Sequence, residues 1–208
     1  MYSPDYFLAT NTAYETLMGN NLMLPIKMIR ILKKFEDIRL ISYSEAARKT
    51  NRSYFEICDI FPSDFGFLSR HPRDPWKAVI YYNDKKSIQT IRFTIAHELG
   101  HYVLGHLDDD DTAKKEANCY ARNILCPVPI GCTLQGNKVE KYMELFDVSE
   151  PMAEATVALT SRDLYYISDK MYTKVSVEYE FYKIMKIMDE FMSDIDFDDF
   201  PFELKKAP

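Results

Sequence analysis

The segment 97–101, which reads His-Glu-Leu-Gly-His, constrains the fold more strongly than any other part of the chain. Residues of an α-helix follow one another at about 100° around its axis, so His97 and His101 would lie about 40° apart on one face. Two imidazoles placed in this way can reach one metal ion, while Glu98 lies beside that face and can act on a water as a general base. The segment therefore predicts a helix with a metal-binding face.

The opposite face of the same helix is apolar. Ile95, Leu99, Tyr102 and Val103 lie together on the side away from the histidines, which predicts a helix that is buried against a core. Packing of this kind would fix the direction in which the metal-binding face points. The alternative is a surface helix in which the two histidines and the glutamate occur by chance, and the apolar face argues against it.

Length and composition predict a single domain with at most a modest appendage. The chain has 208 residues, of which 47% are hydrophobic and 28% are charged, and its formal net charge is −6. The acidic balance argues against nucleic-acid phosphates as the main partner. Residues 1–20 contain neither a basic leader nor a continuous apolar segment, and no stretch approaches membrane-spanning length. We therefore expect a cytoplasmic protein without membrane contact.

Four cysteines occur in the chain, at positions 58, 119, 126 and 132. They form no Cys-x-x-Cys pair, and their spacings match no zinc-finger pattern. We expect buried free thiols rather than disulfides or a thiolate metal site.

The order of apolar and turn residues predicts an α+β fold. Short strands are expected at 39–43, 65–69 and 78–82, which together form a small three-stranded sheet. Pro25 is expected in the first turn of a helix. Residues 193–208 are expected to be frayed. Helices are expected over most of 12–50 and at 86–107, 112–125, 138–146, 149–159 and 179–192. The apolar residues at the start of the last helix alternate with others, so a strand is also possible there.

A catalytic zinc site needs a third protein ligand, and three candidates follow the motif. His106 would fall about 180° from His97 on a continuous helix, so it is set aside unless the helix ends early. The acidic run at 108–111 is better explained as the cap of the next helix. Glu116 lies on that helix among small residues that would allow a close helix approach. The residues alone leave Glu116 open between a ligand and a solvent-facing side chain.

Three strings in this region resemble the ImmA/IrrE family of metallo-endopeptidases. They are residues 92–101 (Arg-Phe-Thr-Ile-Ala-His-Glu-Leu-Gly-His), 116–121 (Glu-Ala-Asn-Cys-Tyr-Ala) and 124–127 (Ile-Leu-Cys-Pro). Tyr120 and Cys126 stand where the family usually has Phe and Met, and these apolar replacements leave the ligand positions intact. The likeness extends over residues 25–161 or so.

The resemblance implies a zinc ion held by His97, His101 and Glu116, with Glu98 as the catalytic base. It implies a zincin-like metallopeptidase core at 25–135, with the three-stranded sheet packed on the motif helix. An N-terminal extension at 1–24 precedes this core, and a helical region at 136–208 is expected to pack on it. The implied activity is that of an endopeptidase whose protein substrate is a helix-turn-helix repressor of a prophage, a mobile element or a stress response.

The alternative from another class is a regulatory protein that contains zinc, cleaves nothing and binds a transcription regulator. In one form of it, residues 138–159 would be a helix-turn-helix. Five acidic residues there outnumber Lys138 and Lys141 and would repel phosphates, so we expect no direct contact with nucleic acid. A structural zinc site is closed by a fourth protein ligand, whereas a catalytic site keeps an open position. The oligomeric state is left open.

Overall fold

The computed structural model describes residues 3–19, 22–136 and 138–193. The segment expected to be frayed, 193–208, lies outside this range except for Ser193. The described residues form three strands and ten helices in the following order: α1 Tyr6–Leu17, α2 Met28–Leu32, β1 Ile38–Ser42, α3 Tyr43–Thr50, α4 Tyr54–Ile60, β2 Gly66–His71, β3 Asp74–Tyr82, α5 Ile88–Val103, α6 Asp111–Leu125, α7 Val128–Gly131, α8 Lys138–Phe146, α9 Glu150–Tyr166 and α10 Asp169–Ser193.

The sheet has the order β1-β3-β2. The central strand β3 pairs in parallel with β1 and antiparallel with β2, and Ile80 lies opposite both Leu40 and Leu68. The α+β class and the three-stranded sheet are therefore confirmed. The predicted first and second strands agree with β1 and β2 to within two residues, whereas β3 begins at Asp74 rather than at residue 78.

Alternation along the strands divides the interior into two parts, because successive side chains of a strand point to opposite faces. Ile80 and Ala78 belong to the large core that contains the apolar side of α5. Tyr81 and Phe67 instead pack into a smaller cluster around Tyr43. The sheet thus presents one face to the motif helix and the other to α3 and α4.

Helix α5 carries the motif, and hydrogen bonds hold its first two turns in place. It begins after Ser87, whose hydroxyl accepts a hydrogen bond from the backbone N–H of Thr90. Arg92 is buried and donates to the backbone carbonyls of Ile26, at 3.0 Å, and Phe146, at 3.1 Å. A guanidinium can satisfy several carbonyls at once, so Arg92 ties the start of the helix to two distant segments.

Helices α5 and α6 lie close together because small residues face one another. A β-carbon added at Gly100 would meet the α-carbon of Ala117 at 3.2 Å and the ring of Tyr120 at 3.0 Å. Both distances are shorter than an ordinary van der Waals contact between carbons. The approach of the second helix that its small residues predicted is confirmed.

Helix α1 packs along the far side of α6. The hydroxyl of Tyr14 donates to the side-chain carbonyl of Asn123 at 2.6 Å, and Tyr120 donates to the hydroxyl of Thr16 at 3.1 Å. Both tyrosines are fully buried, so these hydrogen bonds satisfy groups that would otherwise be costly to bury. The N-terminal helix therefore supports the second helix of the site region.

Several predicted helix bounds are wrong. Helix α5 ends at Val103 rather than near residue 107, and α2 begins at Met28, so that Pro25 precedes the helix instead of starting it. The stretch 12–50 contains the end of α1 and all of α2 and α3, with the predicted strand β1 between the last two. These errors arise because apolar spacing marks the interior of an element better than its ends.

The start of the predicted helix 179–192, for which a strand was also possible, is part of the long helix α10. Val175 and Tyr179 are buried in the main core, and their spacing of four residues places them on one helical face.

All four cysteines are free thiols, and Cys119 and Cys126 are buried while the other two are partly exposed. Among the described helices, none has both the length and the apolar character required to cross a bilayer.

Candidate metal centre

His97 and His101 point their imidazoles at one another from successive turns of α5. Their Nε2 atoms lie 3.1 Å apart. Two nitrogens bound to one zinc at about 2.0–2.1 Å and at a tetrahedral angle would be roughly 3.3 Å apart. The pair therefore has the separation of two ligands of the same ion, as the helical spacing predicted.

Both imidazoles are held in the neutral form that binds metals. Burial, together with the neighbouring His97 and His106, which would each repel a second positive charge, lowers the pKa of His101 to about 4. Burial also lowers the pKa of His97. A metal ion competes with protons for the imidazole lone pair, so a lowered pKa reduces this competition at neutral pH.

Glu98 lies beside the histidine pair, against strand β2. Burial raises the pKa of its carboxyl to about 7, while a hydrogen bond from the backbone N–H of Leu68 acts in the opposite direction. A pKa close to the working pH allows a carboxyl group both to accept and to return a proton. This is the property that a general base requires.

Glu116 projects from α6 and is held on both of its oxygens. Oε1 accepts a hydrogen bond from the backbone N–H of Asp5 at 2.7 Å, and Oε2 lies 2.8 Å from Nε2 of His106. The side chain is only 14% exposed, so the solvent-facing alternative for Glu116 is wrong. Its link to the histidine pair runs through His106.

His106 is in contact with the site, contrary to the expectation from a continuous helix. Because α5 ends at Val103, the chain turns at Gly105, which has φ +73°, and His106 returns toward the helix. Its Nδ1 atom lies 3.1 Å from Nδ1 of His101. Glycine just past a helix end is a stop signal, so Gly105 is the sequence feature that could have revealed this contact.

The acidic residues that follow α5 have two different roles. Asp110 caps α6 by accepting a hydrogen bond from the backbone N–H of Ala113 at 2.8 Å, which confirms the capping interpretation. Asp109 approaches the site, with Oδ1 at 3.6 Å from Nε2 of His101, but it also pairs with Lys114 at 3.3 Å and is 70% exposed. The distance to His101 is too long for a hydrogen bond.

Strand β2 positions the motif helix from outside. Besides the Leu68 contact with Glu98, Arg70 donates to the backbone carbonyls of His101 at 3.0 Å and His106 at 3.1 Å. One guanidinium therefore holds the end of α5 and the turn that follows it. Sequence reasoning missed Arg70, because nothing in the spacing of a strand residue indicates which distant carbonyls it reaches.

The donor set fits zinc in its chemistry and is assembled in part. Within residues 3–19, 22–136 and 138–193, no group of three or more His, Cys, Asp or Glu side chains is arranged around a common point that could hold an ion. The His97–His101 pair supplies two neutral nitrogens at ligand spacing. The Glu116 carboxylate, which is of the type that completes a His, His, Glu set, is joined to this pair through one intervening imidazole.

Comparison with known proteins agrees with this geometry. Residues 60–155 match the family model described as Peptidase_M78: IrrE N-terminal-like domain. The matched segment runs from the end of α4 into the first turns of α9 and contains the histidine pair, Glu98 and Glu116. The match thus indicates a metallopeptidase domain over these residues.

The match over residues 60–155 confirms the resemblance to the ImmA/IrrE family that the motifs predicted. A comparison with curated proteins finds no match.

Proposed function

We propose that the chain is a zinc-dependent endopeptidase with a zincin-like core that hydrolyses a specific protein substrate. The observation that carries the proposal is the His97–His101 pair, whose Nε2 atoms lie 3.1 Å apart beside the buried carboxyl of Glu98. We further propose a helix-turn-helix repressor of a prophage, a mobile element or a stress response as the substrate. This second proposal is supported by the family resemblance.

The residues that would hold the ion are His97, His101 and Glu116. Bound zinc supplies a Lewis acid that lowers the pKa of a water molecule and polarises a substrate carbonyl. Glu98 accepts the proton of the attacking water and returns it to the leaving amine. The Leu68 N–H fixes the direction of the Glu98 carboxylate, and the closely packed α5 and α6 keep the ligands on facing surfaces.

Zinc binding should depend on His101 and on Glu116. We expect about one zinc per purified wild-type chain, because three ligands and one open position make a catalytic site. His101→Ala and Glu116→Ala should each lose the metal or bind it much more weakly. Elemental analysis together with a zinc titration of the three proteins measures this.

His71→Ala is the matched control for the zinc titration. His71 is exposed at the end of β2, where its Nδ1 accepts a hydrogen bond from the backbone of Arg73. The His71→Ala variant should bind zinc as tightly as the wild type. Absence of metal from the wild type even after zinc is added, or unchanged affinity in His101→Ala, would contradict the proposal.

A further inference from the structure

Helix α10 carries a row of apolar side chains that are exposed to solvent. The row consists of Val177, Phe181, Ile184 and Met188, which are 61%, 61%, 55% and 53% exposed. These four residues form the α10 stripe, and they follow one another at intervals of four, three and four residues. Such alternating intervals keep side chains on one face of a helix and are the spacing of a coiled-coil seam. The α10 stripe therefore has the form of a helix-pairing surface.

A different face of α10 holds the helix on the rest of the molecule. Val175 and Tyr179 are 0% and 8% exposed and belong to the main core. At about 100° per residue, Ile184 lies about 140° around the helix from Tyr179. The α10 stripe thus points away from the face by which α10 is packed, and the packing of that face does not account for its apolar character.

The exposed apolar area of α10 is large enough for a dimer. Met185 and Ile187 flank the α10 stripe and are 40% and 65% exposed. With roughly 150–200 Å² for a fully exposed side chain of this size, the stripe and its flanks expose roughly 600 Å² in each copy. Two such surfaces bury about 1,200 Å² on pairing, which is the lower end of the range for specific, stable interfaces. A second copy of α10 therefore supplies the necessary area and the matching spacing.

The charges beside the α10 stripe favour an antiparallel pair. Glu178 and Glu180 both lie near its first half, and Glu180 is 2.6 Å from Lys183. A parallel pair would bring four carboxylates to one level, with two Lys183 side chains to offset them, and like charges at close range repel. In an antiparallel pair the glutamates of the two copies lie at opposite ends of the contact.

The shape of the surface at the start of the α10 stripe agrees with this order. Val177 lines an open groove of about 430 Å³ together with Met18 and Lys174. In the antiparallel order, Met188 of the second copy lies opposite Val177, and Phe181 of one copy lies opposite Ile184 of the other. Methionine is flexible and fills irregular gaps, so Met188 is suited to this groove.

We propose that the α10 stripe is a homodimer interface, in which the α10 helices of two copies of the chain pair in antiparallel order about a two-fold axis. In an interface of this symmetry each contact occurs twice, so that the same four side chains supply both halves. The inference is independent of the proposed function, because no residue of the candidate metal centre takes part.

The first test is the oligomeric state of the full chain, measured by sedimentation equilibrium over the micromolar range. We expect the wild type to have twice the chain mass of 24.4 kDa. Ile184→Glu places a carboxylate in the apolar seam and should weaken the dimer by at least about 30-fold, the effect of losing a central interface residue. Its circular dichroism spectrum should match that of the wild type, because Ile184 is exposed in the single copy.

Phe55→Glu is the matched control for this test. Phe55 is an apolar residue of α4 that is 78% exposed, so the variant introduces the same charge away from the α10 stripe and should dimerise like the wild type. A wild type that is a monomer throughout this range would overturn the proposal, as would an unweakened dimer in Ile184→Glu. A monomeric wild type whose free energy of unfolding falls in Ile184→Glu would point to residues 194–208 of the same chain as the cover of the stripe.

Disulfide crosslinking tests the antiparallel order. The double variant Val177→Cys/Met188→Cys should form a covalent dimer on mild oxidation, whereas Val177→Cys alone should not. In the antiparallel order the two copies of position 177 are about 16 Å apart along the helix axis, too far for a disulfide. The wild type, with its own four cysteines, is the control for other crosslinks. A covalent dimer of Val177→Cys alone, or none in the double variant, would contradict the antiparallel pair.

Discussion

Glu98→Gln should abolish peptide-bond hydrolysis while leaving zinc binding intact. The amide keeps the size of the side chain but cannot accept a proton from water, and a general base contributes about 10²–10⁴-fold to the rate. Because Glu98 is not one of the proposed ligands, the zinc content should match that of the wild type. The rate is measured on peptides that the wild type releases from a proteome-derived library, with identification by mass spectrometry.

The control for this prediction is a carboxylate of similar size outside the site. Glu154→Gln changes an exposed residue of α9 and should cleave the same peptides at the wild-type rate. Cleavage by Glu98→Gln at the wild-type rate would rule out Glu98 as the base. If both proteins bind zinc equally and the wild type cleaves no peptide or repressor protein, the result would favour the alternative of a zinc-containing regulatory protein that cleaves nothing.

Asp163→Ala should reduce the free energy of unfolding by about 3–5 kcal/mol, which is the usual cost of leaving one charge of a buried pair without its partner. Asp163 is 0% exposed on α9, and its two oxygens accept from Nε and Nη2 of Arg122 on α6, both at 2.8 Å. Asn123 also donates to this carboxylate at 3.3 Å. Chemical denaturation followed by circular dichroism measures the loss.

Two further variants show whether the loss comes from an uncompensated charge. Glu154→Ala removes an exposed carboxylate from the same helix and should change stability by less than about 0.5 kcal/mol. Arg122→Met combined with Asp163→Ala removes both buried charges, leaves only the 28% exposed Arg162 without the carboxylate, and should be more stable than Asp163→Ala alone. If the loss of stability in the double variant equals the sum of the losses in Asp163→Ala and Arg122→Met, the two residues are not coupled.

The chemistry of the motif was predictable because it depends on local periodicity. The spacing of His97 and His101 and the apolar positions of Ile95 and Leu99 follow from the helical repeat, and the structure shows the expected contact and burial. The three strands were predictable for the same reason, since alternation marks the half-buried positions of a sheet. The division of residues 1–24, 25–135 and 136–208 remains a prediction.

The surroundings of the motif depend on contacts between residues that are distant in the chain. The hydrogen bonds of Arg92 to Ile26 and of Asp5 to Glu116 join segments that no periodicity relates. The contact of His106 depends on where α5 ends, and an error of four residues in that end moved the side chain to the wrong side of the helix. Gly105 indicates the earlier end of α5, but the spacing of the apolar residues favoured a longer helix.

The most direct test of the proposed metal centre is the position of zinc in crystals of the full-length protein, located from anomalous data collected on both sides of the zinc absorption edge. We predict one peak at about 2.0–2.2 Å from Nε2 of His97, Nε2 of His101 and a carboxylate oxygen of Glu116, with a solvent molecule in the remaining position. A peak that lies away from the His97–His101 pair, or one closed by a fourth protein ligand, would contradict a catalytic zinc site.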